Sequence, residues 1–175
     1  MKIQFKASLV ILAAFTAFAG TDVQAQTTTE LAGTYAYVPA ASDDIETAIR
    51  AATDDMNFIV GPIARGRLRK TNYPYETIRI SATPQAVTIV TDGRAPIVTA
   101  ALGTPIKWER EDGEVFDVST RFVGQALEQT FQAEDGKRVN QYTLDAEGNT
   151  LTMKVTVSSP KLEAPMVYSL KYQRQ

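Results

Sequence analysis

Residues 111–148 read EDGEVFDVSTRFVGQALEQTFQAEDGKRVNQYTLDAEG, with glycines at 113, 124, 136 and 148. Between these glycines the side chains alternate. Phe116, Val118, Thr120 and Phe122 fall on one side of the chain, and Asp117, Ser119 and Arg121 fall on the other. An alternation of period two places successive residues on opposite faces of a strand, so each interval is a strand and each glycine a turn. The rhythm extends outward to Gly93 and Gly103 before the quoted stretch and to Pro160 after it, in steps of 10 to 12 residues. Regular turns at strand-length spacing mark an antiparallel meander that closes as a barrel or folds as a sandwich. Thr91-Asp92-Gly93-Arg94, Glu111-Asp112-Gly113-Glu114 and Glu134-Asp135-Gly136-Lys137 are near-copies of one hairpin turn, where Asp-Gly supplies the positive φ that tight turns need. Their acidic residues lack the oxygen alternation of a calcium loop.

Working outward on this basis, the sequence predicts ten strands, at about 31–38, 76–82, 86–92, 95–102, 104–111, 114–123, 125–134, 137–146, 149–159 and 165–174. The period changes only once. Ile45, Ala48, Ile49, Ala52 and Met56 form a single apolar stripe at helical spacing. Ser42 or Asp43 supplies its N-cap, and Asp43 with Glu46 has the spacing of a capping box. Gly61-Pro62 breaks that helix, and Ile63 to Lys70 forms a second with Pro62 in its first turn. A helical hairpin at about 42–70 is therefore inserted after the first strand.

The first 25 residues read as a secretory signal. Lys2 and Lys6 precede an apolar and small-residue run from Ser8 to Gly20, and Val23-Gln24-Ala25 sets the cut before Gln26. The run is short for a membrane span, nothing later approaches 18 apolar residues, and no cysteine stands at the cut to take a lipid. The expected product is one domain, residues 26–175, exported to a bacterial periplasm or beyond, with no stable membrane anchor.

Composition excludes several chemistries. The chain has 18 Lys and Arg against 20 Asp and Glu, no cysteine and no histidine. Removing Lys2, Lys6 and Asp22 with the signal moves the balance one unit further negative, which argues against nucleic acid as a partner. Without cysteine there are no disulfides, thiol nucleophiles or thiolate metal sites. Without histidine the commonest general base and metal ligand is missing. No phosphate loop, metal cluster or nucleophile elbow is present, and no cofactor is implied. Carboxylate-pair catalysis stays open, because such pairs form in space.

Extending the alternation puts polar residues on inward faces. Trp108 carries Arg110 with it, Leu127 and Phe131 flank Gln129, Asn140 shares a face with Tyr142 and Leu144, and Tyr172 shares one with Arg174. A buried polar group without a partner is costly. Two readings follow. Either the arginines reach solvent at strand ends and the tyrosines bond to backbone, or Trp108, Arg110, Gln129, Asn140, Tyr142, Tyr172 and Arg174 line a cavity and orient a largely apolar ligand. Arg65, Arg67, Arg69 and Lys70 form a basic cluster beside the helical stripe, as a solvated face or as a lure for anions. Asn72-Tyr73-Pro74-Tyr75 offers a contact patch for a protein partner or a rigid linker over the barrel end.

This layout resembles the calycins, above all the intracellular fatty-acid-binding proteins, over nearly all of the chain beyond residue 25. The resemblance implies a ten-stranded up-and-down barrel with two short helices after the first strand, lying over the mouth. Gly33-Thr34-Tyr35 stands where calycins have Gly-x-Trp, and the resemblance makes Arg174 the basic residue that packs on that aromatic. The Arg-x-Tyr carboxylate clamp of the last strand is missing, since Leu170 precedes Tyr172 in its place. The implied function is binding of a small apolar or amphipathic ligand in the barrel. The rival is a protein-binding module that works through its loops and rim.

Overall fold

The structure, a computed structural model, describes residues 30–175; the expected signal segment and cleavage site lie outside the described residues. Ten strands form one antiparallel sheet. They are β1 (Gly33–Tyr37), β2 (Thr77–Ala82), β3 (Ala86–Thr91), β4 (Ile97–Ala100), β5 (Ile106–Glu109), β6 (Val115–Val123), β7 (Ala126–Gln132), β8 (Lys137–Leu144), β9 (Thr150–Ser158) and β10 (Met166–Arg174). Their order is β4-β3-β2-β1-β10-β9-β8-β7-β6-β5, so the first and last strands pair, as Tyr35 with Arg174 and Tyr37 with Tyr172. The two sheet edges, β4 and β5, do not form a ladder. Instead the chain between them touches β6, where Leu102 bridges Arg121 and Gly103 N–H donates to Thr120 O at 2.9 Å. The result is a nearly closed up-and-down barrel.

The glycine rhythm does what the sequence requires of it at the β3–β4 hairpin. Asp92 and Gly93 both have positive φ, 51° and 68°, the pair of values that a two-residue primed turn demands. Asp92 also accepts a hydrogen bond from Thr77 N–H, which ties the turn to β2. Gly136 is different. Its φ is not in the left-handed region, and a Cβ there would lie 3.3 Å from Ser158 O, so close backbone approach is what favours glycine. The acidic turn residues are occupied by neighbours: Asp112 binds Arg110, and Asp135 pairs with Lys161.

Between β1 and β2 lie a 3-10 turn (Pro39–Ala41), helix α1 (Ile45–Ala51) and helix α2 (Val60–Thr71). The helices differ from expectation in two respects. Helix α1 stops five residues before Met56, where Thr53 Oγ1 turns back to donate to Ile49 O at 2.8 Å. Its N-cap is Asp44, whose carboxylate accepts from Glu46 N–H. Ser42 and Asp43 face the sheet instead: Ser42 Oγ accepts from Lys171 N–H and Asp43 from Ser169 N–H, fastening the hairpin to β10. Helix α2 begins at Val60, which places Pro62 in its first turn.

The alternation holds along the barrel. Ile78, Ile80, Val87, Ile89, Leu127, Leu151, Met153, Val155, Tyr168, Leu170 and Tyr172 are all buried. Side chains of this size each contribute roughly 1.5–3 kcal/mol on burial, and they hold the wall together. The helical hairpin covers one end. The other end is plugged by Tyr35, whose hydroxyl donates to Leu31 O at 2.8 Å. Arg174 lies with its guanidinium 5.0 Å from the Tyr35 ring centre and donates to the carbonyls of Gly148, Ala32 and Glu30. The close approach reaches Gly33, where a Cβ would sit 2.6 Å from Arg174 Nη1.

Candidate functional site

Strand register sorts the interior into levels. One row nearest the helices runs Val118, Phe131, Arg138, Val157, Met166. The next runs Thr120, Gln129, Asn140, Val155, Tyr168, and the third Phe122, Leu127, Tyr142, Met153, Leu170. Polar residues therefore occupy one wall, on β6, β7 and β8, facing a wall of aliphatic side chains.

Arg138 is the centre of that polar wall. Its Nε donates to Asn140 Oδ1 at 2.8 Å, and its Nη1 donates to Thr71 O at 2.8 Å and to Asn72 Oδ1 at 3.3 Å. The Nη2 atom is out of reach of solvent and has no partner. Among the described residues no carboxylate pairs with Arg138. Burial works against its charge, but a guanidinium is basic enough that the group stays protonated at any working pH. This is an enclosed cation without an anion.

The neighbours are neutral donors and acceptors. Tyr142 donates to Gln129 Oε1 and accepts from Asn140 Nδ2, both at 3.3 Å, and Tyr168 donates to Asn72 Oδ1 at 3.1 Å. Burial pushes the hydroxyl pKa of Tyr142, Tyr168 and Tyr172 upward, so all three keep their protons. The Tyr172 hydroxyl is sealed from solvent and left without a partner; its ring packs 5.6 Å from Tyr37.

Of the residues singled out in the sequence, Gln129, Asn140 and Tyr142 come together beside Arg138, and Tyr172 lies further from the helices. Trp108 forms an aromatic trio with Phe116 and Phe131, centres 5.9 and 5.6 Å away, on β5, β6 and β7. Arg110 and Arg174 stand apart. Arg174 belongs to the plug at the opposite end. Arg110 sits at the β5–β6 turn over the Phe116 ring, held by Asp112 at 2.7 Å and by Glu114. The Arg110 guanidinium holds the Asp112 carboxyl down to about 2. A carboxyl depressed in the folded state contributes fully above its unfolded value and loses that contribution as pH falls toward the folded one. The Arg110–Asp112 pair is thus expected to persist at pH 4 and to release near pH 2, seen as a carboxyl carbon titration by NMR; a midpoint near the ordinary aspartate value of about 3.9 would show the pair absent in solution.

The sequence reading did not place Arg138, Asn72, Tyr168 or Thr120 among the residues that line the cavity. Arg138, Tyr168 and Thr120 lie on inward faces that the alternation identifies, so their signal was present. Asn72 follows helix α2, and no periodicity marks it. Above this wall, the basic cluster is partly consumed: Arg69 binds Glu46 at 2.7 Å, and Arg65 donates to Thr53 Oγ1 and approaches Asp54 at 3.8 Å. The linker and start of α2 expose Phe58, Ile59, Val60 and Ile63. Tyr73 accepts from Arg94 at 2.6 Å and packs edge-on to Tyr75, which packs against the core.

No protein-family profile matches the chain, and no curated protein matches it in sequence. Solved structures do match in shape. A Schistosoma mansoni fatty acid binding protein in complex with arachidonic acid aligns at 14% identity with a TM-score of 0.54, covering 85% of this chain and 98% of its own. A secretory abundant heat soluble protein of Ramazzottius varieornatus aligns at 8% identity with a TM-score of 0.59, covering 83% and 96%. The fatty acid transporter REP1-NXSQ aligns at 15% identity with a TM-score of 0.54, covering 84% and 97%. The fold is calycin-like, with the two helices between β1 and β2 as in the fatty-acid-binding proteins.

Proposed function

We propose that this protein is an exported carrier for a long-chain amphiphile with one anionic head, held in the barrel with that head on Arg138. The observation that carries the reading is the buried guanidinium with a vacant donor and no carboxylate. Burying a charge is costly unless it is paired, and an acidic ligand supplies the missing partner. The aliphatic wall opposite takes the chain. Two of the solved structures of the same fold are a fatty acid transporter and a fatty acid binding protein, which supports the ligand class. The first 25 residues support export. A ligand of about 20 heavy atoms at roughly 0.3 kcal/mol each gains about 6 kcal/mol, corresponding to tens of micromolar.

Native mass spectrometry of protein purified gently from a bacterial periplasm tests this. The expected result is a discrete adduct that solvent extraction identifies as an organic acid and that is absent from an Arg138→Met preparation. An adduct-free mass that takes up nothing from a lipid extract would sink the reading. The exposed Phe58, Ile59, Val60 and Ile63 favour one second reading, a module that presents its helical tip to a protein. On that reading Phe58→Ser with Ile59→Ser abolishes capture of the partner, whereas Arg138→Met does not.

A further inference from the structure

Two threonines on the inner wall are not explained by binding an acid head. Thr99 on β4 and Thr120 on β6 are 2% and 1% exposed, and neither hydroxyl has a hydrogen-bond partner. Both face inward. Thr99 is paired with the buried Val87, and Thr120 stands between Val118 and Phe122 on the inward face of β6. Thr120 stands where the sheet fails to close on itself, since Gly103 binds its carbonyl, whereas the Leu102–Arg121 bridge sets Thr99 four residues further along that seam. A buried hydroxyl left unbonded costs about 1–3 kcal/mol. Valine would fill the same space without that cost, and valine or isoleucine does so at other interior sites, Val87 and Ile89 on β3 and Val118 on β6.

Gln129 is the ladder partner of Thr120, and its carbonyl is already used by Tyr142, which leaves its Nε2 donors for another group. Asn140, next along the row, has both ends of its amide in use, the oxygen by Arg138 and the nitrogen by Tyr142. Thr120 and Gln129 are uncharged, and the nearest interior cation, Arg138, lies two strands away and one level toward the helices. A strand spacing of about 4.8 Å, and two residues of about 3.3 Å each per level, put that separation at about 12 Å along the wall.

We infer that the barrel contains a second recognition point, where Thr120 and Gln129 receive a neutral oxygen carried partway along the ligand. A hydroxyl fits it best, since it donates and accepts as the threonine hydroxyl does. This rests on the carrier reading and narrows its substrate class: the ligand is an oxygenated long-chain acid, with a hydroxyl or keto group about 12 Å from the carboxylate, rather than a plain one.

Titration of delipidated protein with octadecanoate and a positional series of hydroxyoctadecanoates, followed by Trp108 fluorescence, tests it. One mid-chain isomer is expected to bind about ten-fold more tightly than the parent acid, as one recovered hydrogen bond of about 1.4 kcal/mol provides. Thr120→Val removes that preference and Thr99→Val leaves it intact, while both variants keep the parent's affinity. Without ligand, both melt no lower than the wild type. Equal affinity for parent and all isomers, with parent binding still dependent on Arg138, overturns the second recognition point and leaves the carrier reading standing. A lower melting temperature in Thr120→Val without change in preference also overturns it, since the hydroxyl is then a structural bond. Failure of every acid to bind removes both.

Discussion

Arg138→Met should lower the affinity for octadecanoate about 100-fold while moving the stability of the unliganded protein by no more than about 1–2 kcal/mol. The first figure follows from truncating one side of a buried charge pair, which costs about 2–5 kcal/mol and so at least tens-fold in affinity. The second follows from a near-cancellation. Methionine strands the acceptors on Asn140, Thr71 and Asn72, each worth about 1 kcal/mol or more, but it also removes an enclosed charge whose burial is expensive. Calorimetric titration and urea unfolding of the same preparations separate the two quantities. Unchanged affinity would mean that the guanidinium serves only to fasten the C-terminus of helix α2, and the proposed ligand head would have to sit elsewhere. A loss of several kcal/mol in the unliganded protein would point the same way. Arg138→Lys makes a useful intermediate: it keeps the charge but cannot bond Asn140 and Thr71 together, so it should recover only part of the affinity.

The largest loss of stability is expected from Tyr35→Ala, about 4 kcal/mol. Large-to-small substitution of a fully buried aromatic costs about 3–5 kcal/mol. Tyr35 is 0% exposed, bonds to Leu31 O, and carries the Arg174 guanidinium on its ring. Removing the ring unseats Arg174, which holds three carbonyls at that end of the barrel. Tyr35→Phe keeps the ring and loses only the hydroxyl bond, so it should cost about 1 kcal/mol. Chemical unfolding of both variants checks the pair, and a cost below about 1 kcal/mol for the alanine variant would show that the plug is dispensable.

How much of this was legible before any coordinates follows from which interactions are local. The turns and the face of each strand are written in glycine spacing and alternation, so all ten strands and the helical insert were readable. The N-cap of α1 was not, because Ser42 and Asp43 are claimed by the backbone of β10, more than a hundred residues away, and the cap shifts to Asp44. Alternation also gives the face of a residue without its height in the barrel. Arg110, Arg174 and Asn140 all read as inward, but the two arginines lie at turns and ends, where other groups satisfy them. Arg138 shares the inward face of Asn140 and Tyr142. Its lack of a carboxylate, the property that matters, belongs to the three-dimensional surroundings.

The pairing of β1 with β10 sets a condition on assembly. Tyr35 finds its partner only when Arg174 is present, so the circle of strands has no completed form while the C-terminal segment is missing. Contacts spanning nearly the whole described chain carry a large loop-closure cost and slow folding, to milliseconds or seconds for such topologies. A chain whose closing step comes last remains threadable up to that moment. The natural breakpoint is then the β4–β5 junction, where no ladder exists: a circular permutant opened beside Gly103 and joined across residues 30 and 175 would keep every strand pairing and exchange the slowest contact for a local one.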